Sequence, residues 1–245
     1  MGSVSEKTHK KNVSNLEDLI SKCVGYGTAY NPSNAAIAIV ALNILLTNGT
    51  NENLAVIVAE TAFKIAIKDR IIAFKGLKKL CTKIVNGLES SGASKEVVDN
   101  AKSINNKIQG KRVVAKVTPP PDSTVPLHKY ISVSQQSFDS LINNFLKLIQ
   151  LVSSEPLYAP NENPLKVASL NTYYNDLVAK NTAVINANTP YCNALVLRNR
   201  VLYKPDTGLV DIALATKKYV KSIFGATNPN YKLISGIKFT RPRKK

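Results

Sequence analysis

The sequence predicts an all-α fold in which one helical module is used twice. Three observations lead there. Apolar residues recur at helical spacing in every segment, strand signals are few, and the chain matches itself at a shift of 128 residues. The match runs without a gap from Asn15 to Arg70. Tyr30 meets Tyr158, Pro32 meets Pro160, Leu42-Asn43 meets Leu170-Asn171, and Ala55-Val56-Ile57 meets Ala183-Val184-Ile185. Asn53 meets Asn181, and Arg70 meets Arg198. Random pairing gives about one identity in sixteen, and the observed density is several times that. Past Arg70 the register slips, with extra residues in the second copy near Lys204-Pro205-Asp206-Thr207-Gly208.

In chain order, Ser14 or Asn15 caps a first helix whose Leu16, Leu19, Ile20, Cys23 and Val24 share a face, and Gly25 and Gly27 end it. The counterpart starts at Ser134 or Ser137 and carries Phe138, Leu141, Ile142, Phe145, Leu148, Ile149 and Val152. A second helix follows Pro32-Ser33-Asn34 and ends at Gly49; its counterpart runs from Pro164 to Ala179. The run 35–46 (AAIAIVALNILL) is too short to span a bilayer and reads as a buried core helix. A third helix starts at Asn51 to Asn53 and again at Asn181. Pro190 should kink or break the second of these. A fourth is clearest where Asp206 or Thr207 caps Leu209, Ile212, Ala213, Val220, Ile223 and Phe224, with Gly225 as the stop. Short helices follow at 94–108 and 229–234. Asn48-Gly49 resembles a hairpin turn, but it sits between helical patterns.

Four amphipathic helices per copy make the four-helix bundle the natural packing unit. The expected organisation is a basic polar leader (1–12), repeat one (13–112), a Pro-rich linker (113–133), repeat two (134–240) and a basic tail (241–245). Pro119-Pro120-Pro121 excludes helix from the linker and stiffens it. The alternative is one continuous bundle with the two copies packed about a pseudo-two-fold axis.

Charge is the strongest functional signal. The chain carries 33 Lys and Arg against 16 Asp and Glu, a formal net charge of +17, and no acid lies between Ile212 and Lys245. Such a field attracts nucleic acid or another polyanion, although it also serves solubility alone. Lys64, Lys68, Lys75, Lys78, Lys79 and Lys83 fall mostly within one stripe at 100° per residue. Lys217, Lys218 and Lys221 cluster in the second copy, and Arg241, Arg243, Lys244 and Lys245 read as a mobile tail. Without a helix–turn–helix, zinc finger or aromatic strand motif, binding would be backbone-directed and non-specific.

Chemistry is not indicated. His9 falls in the polar leader and His128 in the linker, neither with a partner at metal spacing, and no phosphate loop or ExxH pair is present. The expectation is a non-enzymatic protein with no catalytic residue, metal, cofactor or small-molecule substrate. Cys23, Cys81 and Cys192 read as small core residues of a reduced protein. The leader lacks the apolar region of a secretory signal, and Glu6 breaks the myristoylation pattern. A cytoplasmic protein without membrane contact is expected. Among the residues that repeat, Asn43 and Asn171 read as buried hydrogen-bonding devices on the second helix. Tyr30 and Tyr158 read as turn and packing residues, and Arg70 and Arg198 hold equivalent sites. The duplication itself motivates the second functional reading, a protein–protein scaffold or self-assembling unit.

Lys217 to Thr227 (KKYVKSIFGAT), with Tyr231-Lys232, Gly236-Ile237-Lys238-Phe239 and the upstream Arg198-Asn199-Arg200-Val201-Leu202-Tyr203, resembles the C-terminal signature of an uncharacterised group of small helical proteins from Bacteroidota. The resemblance covers mainly residues 195–240. It implies a bacterial, cytoplasmic, duplicated helical protein and brings no activity or site residue with it.

Overall fold

The computed structural model describes residues 4–111 and 136–242, with side chains from residue 8 onward. The linker 113–133, His128, Ser134, Arg243, Lys244 and Lys245 lie outside them. The described residues are helical and contain no strand. The α-helices are α1 (Val4–Gly25), α2 (Ile39–Phe74), α3 (Leu77–Ser90), α4 (Lys95–Gln109), α5 (Phe138–Ser153), α6 (Val167–Tyr203), α7 (Leu209–Phe224) and α8 (Pro229–Ser235).

By packing, the chain divides into unit 1 (Met1–Phe63 with Ala187–Lys245) and unit 2 (Lys64–Asn186). The division falls inside α2 and α6, not at the Pro-rich stretch. In unit 1, α7 packs on α1, on α8 and on the 3-10 turn Ala35–Ile37, and α1 packs on α8. In unit 2, α3 packs on α5, on α4 and on the 3-10 turn Asn163–Leu165, and α5 packs on α4. Shifted by one repeat, the two sets of pairings are the same. Unit 1 therefore joins α1 to α7 and α8, and unit 2 joins α5 to α3 and α4.

Unit 1 is centred on Leu16, Leu19, Cys23, Leu42, Leu202, Leu209, Ala213 and Val220. Unit 2 is centred on Cys81, Ile84, Leu88, Phe145, Leu148, Ile149, Leu170 and Leu177. The repeated tyrosines do equivalent work. Tyr30 Oη donates to the Ile37 carbonyl at 2.6 Å, and Tyr158 Oη to the Leu165 carbonyl at 3.0 Å. Each ties the loop after α1 or α5 to the start of the next long helix.

Four expectations are corrected. The separate second and third helices are one helix in each copy. Gly49 is buried within α2, where an added Cβ would sit 3.2 Å from both Leu209 Cδ1 and Val13 Cγ2. This glycine serves close packing, and tertiary contact overrides its tendency to end a helix. α6 likewise continues through Pro190. The leader is also helical: α1 extends back to Val4, and His9 and Asn12 are buried. His9 Nδ1 lies 2.6 Å from Tyr203 Oη, and Asn12 exchanges hydrogen bonds with the Thr240 backbone. Asn43 and Asn171 are exposed. The buried edge of α2 runs through Leu42, Gly49 and Val56, and the next residue along a helix points about 100° away. Finally, run 35–46 is only partly core. Ile37 and Leu42 are buried, whereas Val40 and Ile44 face solvent.

Candidate polyanion-contact surface

The lysine stripe does not form as one row. α2 stops at Phe74 and α3 begins at Leu77, so Lys64 and Lys68 stand on one helix and Lys78, Lys79 and Lys83 on the next, with Lys75 in the turn between. All six are exposed residues of unit 2. α3 buries Leu77, Cys81, Ile84, Val85 and Leu88. That face is set by helical spacing, and it forces Lys79 and Lys83 outward. Lys79 and Lys83 stand one turn apart on α3, about 6 Å of rise, and Lys75 precedes them in the turn. Among the described residues none of the three takes part in an ion pair or side-chain hydrogen bond. Lys78 is engaged: its amine donates to Gln136 Oε1 at 2.8 Å and to the Gln109 carbonyl at 3.4 Å.

That last contact ties Lys78 to the C-terminal end of α4, and the same unit holds a groove that the sequence did not reveal. The groove, about 500 Å³, runs between α4 and α5. Its walls are Asn100, Ser103, Ile104 and Lys107 on α4, with Lys147, Gln150, Leu151 and Ser154 from α5 and its cap. No acid lines it. Both helices are fixed by serine N-caps, Ser94 accepting from the Val97 amide and Ser137 from the Ser140 amide. Gly110, at φ 77°, turns the chain out of α4 so that Gln136 can take up the Lys107 carbonyl at 2.8 Å. A helical reading of 94–108 and 138–152 held the signal, since Lys107 and Lys147 both follow from the outward faces of those helices. Which outward faces meet was not in the spacing.

The second basic set, in unit 1, does different work. Lys217 is half-buried and its amine donates to the Ser235 and Ile237 carbonyls at 2.9 and 2.7 Å, closing the C-terminal end of α8. Burial holds its pKa below the usual lysine value. Lys221 sits 5.9 Å from the Tyr231 ring centroid, and Lys218 is exposed. Arg241 is anchored, which corrects the mobile-tail reading at that residue. It donates to Asp211 Oδ2 at 2.6 Å and to the Tyr203 carbonyl at 2.8 Å. Its hydrogen bond, then the Asp206 amide, hold the Asp211 carboxyl below the usual aspartate range. The carbonyls at helix ends require donors, and these cations supply them.

The repeated arginines are structural. Arg70 Nη1 donates to Asn181 Oδ1 at 3.0 Å, and its guanidinium carbon lies 3.9 Å over the Phe138 ring. Arg198 is buried in unit 1, at 3% exposure. Cys23 and Cys81 are buried, and burial pushes both thiols up to about 12. Cys192 is exposed on α6, contrary to the core reading. Among the described residues no group of three or more His, Cys, Asp or Glu is placed to hold a metal ion. No helix among them is long and apolar enough to cross a membrane. No family model, curated protein or solved structure matches the chain.

Proposed function

We propose that the chain is a non-enzymatic binding protein, cytoplasmic in setting, whose unit 2 contacts the backbone of a nucleic acid or a similar polyanion. One observation carries this reading: the amines of Lys75, Lys79 and Lys83 are exposed and uncommitted, and the same unit holds an acid-free groove lined by Lys107 and Lys147. Row and groove offer five cations, with the side-chain amides of Asn100 and Gln150 and the Ser103 hydroxyl as neutral donors to phosphate oxygens. Lys217 and Arg241 are left out because helix-end carbonyls and Asp211 already hold them. We also read the two units as a duplicated bundle with exchanged halves, supported by the matching pairings of α1 with α7 and α5 with α3.

The test is a titration against fluorescent double-stranded DNA and single-stranded RNA at several salt concentrations. The wild-type affinity should fall log-linearly with salt. Replacing Lys75, Lys79 and Lys83 by Gln should flatten the duplex slope by about 2.7, and replacing Lys107 and Lys147 by about 1.8, at about 0.9 per phosphate contact. Absence of binding at low salt, or slopes unchanged in both variants, overturns the reading.

A further inference from the structure

The groove between α4 and α5 has an amphiphilic cross-section that phosphate alone does not explain. Gln136, just before α5, donates to the Lys107 carbonyl at the end of α4, so the two packed helices run antiparallel. Each gives the groove one face. On α4, Asn100, Ile104 and Lys107 follow at steps of four and three residues, and on α5 so do Lys147, Leu151 and Ser154. Ile104 and Leu151 are half-buried and pack on the core of unit 2, so they form an apolar floor. Asn100, Gln150, Lys107 and Lys147 are exposed and form the rims.

This lining discriminates among polyanions. Phosphate oxygens only accept hydrogen bonds. They can use the amide nitrogens of Asn100 and Gln150, but they leave the amide oxygens to water. A base edge carries donors and acceptors side by side and satisfies both ends of an amide. The flat face of a base also covers an apolar floor, which a polyphosphate or the sugar–phosphate edge of a duplex cannot do. In a duplex those faces are already covered by stacking, so only an unpaired base has one to give. At about 500 Å³ the groove falls within the roughly 300–1,000 Å³ of sites that hold one small ligand.

We infer that the groove is a single-nucleotide subsite for single-stranded RNA or DNA. One unpaired base lies on Ile104 and Leu151, its edge meets Asn100 and Gln150, and the flanking phosphates meet Lys107 and Lys147. This rests on the polyanion reading above and names its ligand class. The rim lysines reach the phosphates of a duplex as well, so both forms bind and the floor separates them. An amide turns to present a donor or an acceptor, so different bases are accepted.

Fluorescence anisotropy of the full chain tests this, with labelled single-stranded RNA, single-stranded DNA and duplex DNA of one sequence, and with inorganic polyphosphate as competitor. At matched salt the single strands should bind about fivefold or more tighter than the duplex. Asn100→Ala with Gln150→Ala should weaken single-strand binding about tenfold and leave its salt slope unchanged, because no charge is removed. Leu151→Phe supplies an aromatic platform and should tighten single-strand binding about fivefold without changing duplex affinity. Asn100 and Gln150 are exposed, so an unchanged far-UV circular dichroism spectrum confirms that the amide variant folds. No preference for single strands over duplex, or a single-strand affinity indifferent to the amide pair, overturns the subsite and leaves the polyanion reading standing. A Leu151→Phe protein that gains equally for duplex and polyphosphate overturns it too. Absence of binding to every polyanion at low salt overturns both.

Discussion

Asn181 is the residue whose removal should cost unit 2 most for its size. It is 7% exposed and bridges two charges. Its amide oxygen accepts from Arg70 Nη1 at 3.0 Å, and its amide nitrogen donates to Asp139 Oδ1 at 2.7 Å. Asn181→Ala leaves the half-buried guanidinium without that acceptor, and the Arg70 Nε is already buried without a hydrogen bond. A lost bond to a charged group costs about 1.5–3 kcal/mol. Asp139 is exposed, so water replaces its lost donor and this second bond adds about 0.5–1 kcal/mol. The variant should therefore lose about 2–4 kcal/mol, or about 4–16 °C in Tm for a chain of this length. Urea unfolding followed by circular dichroism measures the loss, and amide exchange along Leu141–Ile149 assigns it to unit 2. Asp139→Ala alone should cost under about 1 kcal/mol, since it leaves the Arg70 bond in place. A loss below about 0.5 kcal/mol in Asn181→Ala would refute the bridging role.

Three further outcomes follow from the geometry. Tyr30→Phe and Tyr158→Phe each strand a loop carbonyl, Ile37 or Leu165, and should each destabilise the unit that holds them by about 1–1.5 kcal/mol; equal unfolding midpoints for wild type and both variants would contradict this. In native protein a thiol reagent should label Cys192 rapidly and spare Cys23 and Cys81, whose thiols burial raises to about 12, with all three labelled in denaturant. Asp211 has its folded pKa lowered by Arg241, so its ion pair stabilises fully above the unfolded aspartate value and is lost as pH falls through the folded one. Arg241→Ala should remove that acid-side component, no more than about 1 kcal/mol for a pair this exposed, and an NMR titration should show the Asp211 carboxyl returning upward.

Much of the local structure was legible. The stripe Leu16, Leu19, Ile20 and Cys23 marked α1, and the same spacing carried two turns back through Asn12 and His9 would have shown that the leader is helix. The segments 94–108 and 229–234 match α4 and α8 to within a residue or two. Long-range assignments were illegible for a physical reason. Lys217 and Lys221 look alike in sequence, yet one closes the carbonyls of residues 18 and 20 positions away and the other lies over a ring. Cation use of that kind is decided by tertiary contact, and the groove between α4 and α5 is hidden for the same cause.

The proposed exchange of halves lies deeper in the sequence. A duplicated sequence encodes the same contact set whether α1 meets the later helices of its own copy or those of the other, because the surfaces are equivalent. What decides is the continuity of α2. Had Gly49 stopped the helix, the chain could have turned back and closed repeat one on itself. Instead Gly49 is consumed as a close-packing position against Val13 and Leu209, and the helix continues for 36 residues, about 54 Å. α3 then begins after the end of α2 and packs on α5. α6 does the same in reverse through Pro190, which brings α7 to α1. One buried glycine, read locally as a stop, thus lies within an unbroken α2, and on the proposed reading that continuity sets which copy completes which unit.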